Sequence, residues 1–297
     1  MYKEILCQKA INKLKRPMPY SWDLNIYRGC EHGCRYCFAL YTHKYMNSGD
    51  FFNEVYVKTN IVEQVEKQLA SKNWKREVVN IGGVTDSYQP AEAHYRFMPE
   101  VLKLLIKYKT PAIISTKSDL ILRDYDLIDE LSRITYVNIA ATITTTDDTL
   151  RKKLEPNGAP SNIRLEMLKT FRKTNASTGL HVMPIIPYMT DNRENIDSLF
   201  YQAKESNIHY VLPDILNLRS QTRKVFFAFL KTYSLELHNK MSALYQNGGA
   251  DREYKYQLYK MVNELRYKYG LSYSYSKPMK EKLILSEPEQ LQLFLGD

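Results

Sequence analysis

No stretch of this chain is apolar for long enough to cross a membrane. Its first residues, Met1-Tyr2-Lys3-Glu4-Ile5-Leu6, run straight into charge and hold no secretory apolar region. No low-complexity linker and no internal repeat interrupts the 297 residues, a length that suits one large α/β domain. Cysteine is scarce. There are four, Cys7, Cys30, Cys34 and Cys37, and none follows Cys37. Three of them are crowded into one short run, which excludes a disulfide framework by geometry. Free thiols favour a reducing compartment, so the cytoplasm is expected.

The missing fourth cysteine is informative because of the three present. Cys30-Glu31-His32-Gly33-Cys34-Arg35-Tyr36-Cys37 has the spacing C-x3-C-x2-C. A [4Fe–4S] cluster carries four irons, each ordinarily held by one thiolate. Three thiolates leave one iron open to a small molecule. The competing reading is a zinc site closed by His32 or His43, but structural zinc favours paired ligands at other spacings. Cys7, in a basic amphipathic stretch, reads as an ordinary thiol.

The net charge of +9 is concentrated at the ends. Residues 1–16 hold five Lys or Arg against one Glu, and residues 251–282 hold eight against four Asp or Glu. The first stretch is read as a basic helix. Such patches suit phosphates or an acidic peptide, or simply keep helices soluble. Many of the 24 tyrosines cluster late in the chain, among them Tyr256, Tyr259 and Tyr267. Tyrosines among basic residues can stack bases or pack helices.

Short β-branched runs alternate with helical patterns. Strands are expected at 23–27, 78–83, 112–116, 137–144, 180–185 and 209–212. Helices are expected at 60–72, 97–108, 124–133, 161–175 and 192–206, with Ile61, Val65 and Leu69 on one face. Six βα repeats predict a parallel sheet with helices outside, closed into a partial barrel. After residue 213 the alternation stops. A long helix is expected over 219–245, broken by Asn247-Gly248-Gly249, with a second helix after it. The two are expected to pack on the open side of the barrel. The division is thus 1–213 for the barrel and 214–297 for a helical extension, whose tail 286–297 is expected to cap the fold or the mouth of the site.

Barrel sites gather at the C-terminal ends of strands. Gly82-Gly83 ends the second strand, where two glycines let a ligand approach the backbone. Asp86 offers a carboxylate there, to a ligand ammonium or as a turn cap. Lys117 ends the third strand with a cation, and Thr142 ends the fourth with a hydroxyl.

Several runs together resemble the spore photoproduct lyase-like branch of the radical S-adenosylmethionine superfamily. They are 27–37, Gly83-Val84-Thr85-Asp86-Ser87-Tyr88-Gln89-Pro90, Ser115-Thr116-Lys117-Ser118, Arg123-Asp124, Leu154-Glu155-Pro156, Ala159-Pro160-Ser161 and Arg164-Leu165-Glu166. The likeness covers roughly residues 1–270. It implies a partial (β/α)6 barrel and a [4Fe–4S] cluster on Cys30, Cys34 and Cys37. It also implies S-adenosylmethionine held near Tyr36, Gly82, Gly83, Lys117 and Thr142, with Tyr36 beside the adenine. The partners implied are that cofactor, a one-electron donor such as flavodoxin or ferredoxin, and a peptide, protein or nucleic-acid substrate.

The sequence departs from the lyase pattern at one point. The lyase returns a hydrogen atom from a barrel cysteine beyond the cluster motif, and this chain has none. Tyr88 is the candidate replacement donor. Lesion repair is therefore not carried over, and modification of a macromolecule is the expected activity. The alternatives are a nucleic-acid repair lyase and an inactive iron–sulfur protein.

Overall fold

The structure is a computed structural model that describes residues 1–15, 18–46, 50–246 and 248–285. Ten strands are present among these: β1 (Tyr2–Ile5), β2 (Ile11–Lys13), β3 (Trp22–Leu24), β4 (Tyr27–Arg28), β5 (Val55–Lys58), β6 (Val79–Ile81), β7 (Ala112–Thr116), β8 (Val137–Thr142), β9 (Ser177–Ile185) and β10 (Tyr210–Ile215). The main sheet has the order β10-β9-β8-β7-β6-β3-β2. From β3 to β10 every pair is parallel, and β2 is antiparallel to β3. These six parallel strands and the helices between them form the expected partial barrel, with no strand pair closing it among the described residues.

The central strands are buried on both faces, as parallel strands covered by helices must be. All six residues of β8 are buried. The outer helices contribute one apolar stripe each. Ile61, Val65 and Leu69 are the buried residues of the helix Ile61–Leu69. Asp147 caps the helix Asp148–Leu154 by accepting from the backbone N–H groups of Thr149 and Leu150.

Three expectations are corrected. The basic N-terminus is not helical: β1 pairs in parallel with β5, and β2 pairs with β3. With β4, β1 and β5 form a separate three-stranded sheet beside the cysteine loop. The helix expected over 219–245 is two, Ser220–Tyr233 and Leu235–Leu244. Ser234 is extended between them, and its side chain caps the second by accepting from Leu237 N–H. Nor do the two late helical regions share one place. Ser220–Tyr233 packs on the 3-10 segment Phe38–Tyr45 that follows the cysteines, while Arg252–Lys268 packs on the barrel helix Arg193–Glu205. The break after residue 245 is described at Gly248, whose φ of 81° suits glycine. Asn247 and the tail 286–297 lie outside the described residues.

Candidate active site

The cysteines occupy the loop after β4. Gly29 starts it with a φ of 89°, and a Cβ there would lie 2.6 Å from Glu54 O and 2.9 Å from Phe51 O. Only glycine fits this approach. The loop is tied down from several elements. Thr85 Oγ1 donates to Gly29 O at 2.6 Å, Arg35 N to Leu154 O at 2.9 Å, and Thr222 Oγ1 to Cys37 O at 2.9 Å. The last bond fixes helix Ser220–Tyr233 over the loop.

His32, one candidate fourth ligand of a zinc site, has both ring nitrogens engaged, and His43, the other, has its Nε2 engaged. His32 Nδ1 is 3.1 Å from Asn157 O and its Nε2 is 2.9 Å from Asp86 Oδ2. His43 Nε2 lies 3.1 Å from Glu54 O. Among the described residues no group of three His, Cys, Asp or Glu side chains closes on a single metal ion. A four-iron cluster needs thiolates spread more widely than one ion does.

Cys30, Cys34 and Cys37 all line one cavity of about 490 Å³ at the C-terminal ends of the strands. Tyr36, Gly82, Gly83, Asp86, Lys117 and Thr142 line it too. Burial pushes all three thiols up, Cys34 to about 12. A nearby positive charge favours the thiolate form in such a place, and Lys117 already acts this way on Cys34 and Cys37.

Asp86 organises the floor. Besides His32, it accepts from Thr116 Oγ1 at 2.8 Å, Lys117 N at 2.8 Å and Tyr88 N at 2.8 Å. Burial opposes its ionisation, but the neighbouring His32 and these bonds outweigh burial and hold the carboxyl at about 2. The carboxylate thus joins the cysteine loop to the ends of β6 and β7, more than a turn cap would do.

Tyr36 and Lys117 stand on a second network. The Tyr36 hydroxyl donates to Glu155, which is ion-paired to Arg164 at 2.6 Å with both side chains fully buried. Arg164 Nη1 also donates to Thr142 O at 2.7 Å. Lys117 Nζ lies 5.8 Å from the Tyr36 ring centre and has no hydrogen-bond or ion-pair partner among the described residues. Burial alone would lower its ammonium, but Cys34 and Glu155 carry it above the ordinary lysine value.

Gly82 and Gly83 play separate parts. Gly82 needs glycine for its φ of 85°. At Gly83 a Cβ would overlap the Asp23 carboxylate. Asp23 is itself held by Asn80 Nδ2 at 2.6 Å and Asn25 Nδ2 at 3.0 Å.

Tyr88 is not brought to this cavity. It is fully buried, is absent from the lining residues, and donates to Asp124 Oδ2 at 3.1 Å. Asp124 is in turn paired with Arg123, which also meets Glu92. The hydroxyl is thus taken up by the Asp124, Arg123 and Glu92 cluster.

Other residues were missed. His181 of β9 and Tyr210 of β10 line the cavity, with His181 Nε2 3.2 Å from the Tyr210 hydroxyl. That hydroxyl donates to Asn138 Oδ1 at 3.0 Å. Burial, helped by Lys117, lowers His181 to about 4, so the ring is neutral near pH 7. Each is signalled by a polar residue within an apolar strand, as in Leu180-His181-Val182 and Val137-Asn138-Ile139.

Comparison with known proteins agrees with this geometry. Residues 24–200, more than half of the chain, match the family model for the radical SAM superfamily. An uncharacterized protein of Mycobacterium tuberculosis is 33% identical over 299 residues, covering 99% of this chain and 88% of its own length. An uncharacterized protein of Methanocaldococcus jannaschii is 30% identical over 219 residues, covering 73% of this chain and 78% of its own. In fold, the chain is similar to spore photoproduct lyase complexed with dinucleoside spore photoproduct. The TM-score is 0.66 at 13% identity, covering 90% of this chain and 79% of the lyase. A variant of that lyase with bound S-adenosylmethionine gives the same TM-score at 12% identity, with the same coverage. Proteins of this superfamily use a [4Fe–4S] cluster and S-adenosylmethionine. The residues here fit both, with three thiols, a glycine pair and an unpaired lysine on one cavity. The chain belongs to the radical S-adenosylmethionine superfamily.

Proposed function

We propose that this protein is a radical S-adenosylmethionine enzyme that modifies a macromolecular substrate. The observation that carries the reading is the convergence of Cys30, Cys34, Cys37, Gly83, Lys117 and Thr142 on one cavity, from four separate segments of the chain. When bound, the cluster and S-adenosylmethionine together supply a 5′-deoxyadenosyl radical.

The protein's own residues would hold and shield this chemistry. Cys30, Cys34 and Cys37 would bind the cluster. Lys117 would meet the cofactor's carboxylate, and the backbone at Gly82 and Gly83 would face its amino end. Tyr36 would flank the adenine, held in place by Glu155. Asp86 keeps these parts in register through its four partners and has no lone pair to spare for a ligand without losing one.

His181, Tyr210 and Met183 also line the cavity and would meet the substrate. A neutral imidazole and a phenol can orient a polar group without adding charge. With no cysteine after Cys37, the barrel strands carry no thiol beyond the cluster motif to quench a substrate radical. This supports a net modification over thiol-dependent lesion repair. The free thiols support a cytoplasmic setting, with a flavodoxin or ferredoxin as electron donor. No described helix is long and apolar enough to cross a membrane.

The test is an anaerobic incubation with reductant, S-adenosylmethionine and deuterated candidate macromolecules. Deuterium in the 5′-deoxyadenosine identifies the substrate class. Efficient repair of a thymine-dimer spore lesion, with many turnovers per cofactor, would replace this reading with the repair lyase.

A further inference from the structure

The helix Arg252–Lys268 buries Leu258, Val262 and Leu265. Its opposite face carries no apolar stripe. Arg252, Lys255, Tyr256, Lys260 and Tyr267 recur at helical spacing and line a second, open groove, with Tyr259 at its inner edge. Tyr256 is 63% exposed and Tyr267 74% exposed, much more than packing tyrosines would be. The Arg266 guanidinium lies 4.6 Å from the ring centres of both Tyr267 and Tyr273, a cation–π contact to each. The one acid in the groove, Glu264, is answered by Arg193 at 3.3 Å. The three remaining cations have no acidic partner in the groove.

This groove and the cavity share an edge. The Tyr259 hydroxyl donates to Asp214 Oδ1 at 2.9 Å and accepts from Ile215 N at 3.2 Å, and Asp214 and Ile215 line the cavity rim. We infer that the face Arg252–Tyr267 binds single-stranded nucleic acid, with phosphates on Arg252, Lys255 and Lys260 and bases stacked on Tyr256 and Tyr267, and leads the strand to the cavity. The inference rests on the proposed macromolecular substrate and names its class. Alternating cations and open aromatic faces are what a strand with unpaired bases requires. An acidic peptide would use the cations alone and leave the exposed rings without a role.

The test is fluorescence anisotropy of the full-length, cluster-loaded protein with labelled thymidine and uridine 30-mers across a salt series. Comparing the two oligomers distinguishes DNA from RNA. Three phosphate contacts predict a slope of log affinity on log salt of about −2. Lys255→Glu/Lys260→Glu should flatten that slope by about 1.4. Tyr256→Ala/Tyr267→Ala should weaken binding at least ~5-fold at fixed salt, while Tyr256→Phe/Tyr267→Phe should retain it. All three variants should cleave S-adenosylmethionine as the parent does without substrate, so failure of the cofactor chemistry is scored separately. No binding, parental binding by the variants, or equal displacement by poly-glutamate with no effect of the tyrosine changes would each overturn the inference.

Discussion

His32 Nε2 lies 2.9 Å from Asp86 Oδ2, and both side chains are buried. This contact joins the cysteine loop to the end of β6. The same carboxylate reaches β7 through Thr116 and Lys117 N. One side chain therefore sets the position of the thiols relative to the glycine pair and the lysine. Asp86→Ala is expected to cost about 3–5 kcal/mol, the range for removing one member of a buried pair. Urea unfolding measures the loss, and iron content after anaerobic reconstitution should fall with it.

Arg164 and Glu155 form the second fully buried pair. Arg164→Leu leaves Glu155 without its partner beneath Tyr36 and frees Thr142 O. A loss of about 3–5 kcal/mol is expected in chemical denaturation. Arg164→Leu/Glu155→Leu, which removes both charges, should recover much of that stability yet still bind S-adenosylmethionine poorly in equilibrium dialysis.

Gly179 of β9 makes room for the Tyr210 ring, since a Cβ there would overlap the phenol. Gly179→Ala should displace Tyr210 from His181 and Asn138, at a cost of about 1–3 kcal/mol for overpacking. Tyr210→Leu should lose stability alone but suppress the further effect of Gly179→Ala. A double-mutant cycle by thermal or urea unfolding measures this coupling.

The lowered His181 pKa predicts a pH dependence of stability. In the unfolded chain an ordinary imidazole titrates near 6.5, and in the fold it titrates at about 4. The unfolded state thus binds the extra proton first. The stability held by the neutral ring is complete above pH 6.5 and is lost as pH falls from about 6.5 to about 4. The loss from this group is on the order of 3 kcal/mol. His181→Asn should flatten the profile of unfolding free energy over that window.

Much of this architecture is readable from short-range pattern. The six parallel strands and five outer helices follow from β-branched runs such as Ala112–Thr116 and from stripes such as Ile61, Val65 and Leu69. The ligand-facing residues at strand ends follow because the barrel brings those ends together. What failed depends on distant partners or one local contact. Tyr2–Ile5 is a strand only because Val55–Lys58 runs beside it, which a basic amphipathic stretch does not announce. Ser234 divides a continuous apolar stripe with one capping hydroxyl. Tyr88 follows a site motif in sequence, but its ring points to Asp124. His181 and Tyr210 pair across two strands, so neither has a local signature beyond being polar within an apolar strand.

The account's central claim is that three thiolates hold a cluster beside a cofactor gripped by the glycine pair and Lys117. The most direct measurement is anaerobic S-adenosylmethionine cleavage by reconstituted protein with dithionite, read as 5′-deoxyadenosine and methionine by liquid chromatography and mass spectrometry. The account predicts equal amounts of the two products from the parent and none from Cys34→Ala. It also predicts that Lys117→Ala needs ~10-fold or more additional cofactor, from one charge-assisted hydrogen bond of about 1.5–3 kcal/mol. Stoichiometric zinc in the parent protein with no 5′-deoxyadenosine formed, or full cleavage by Cys34→Ala, would contradict it.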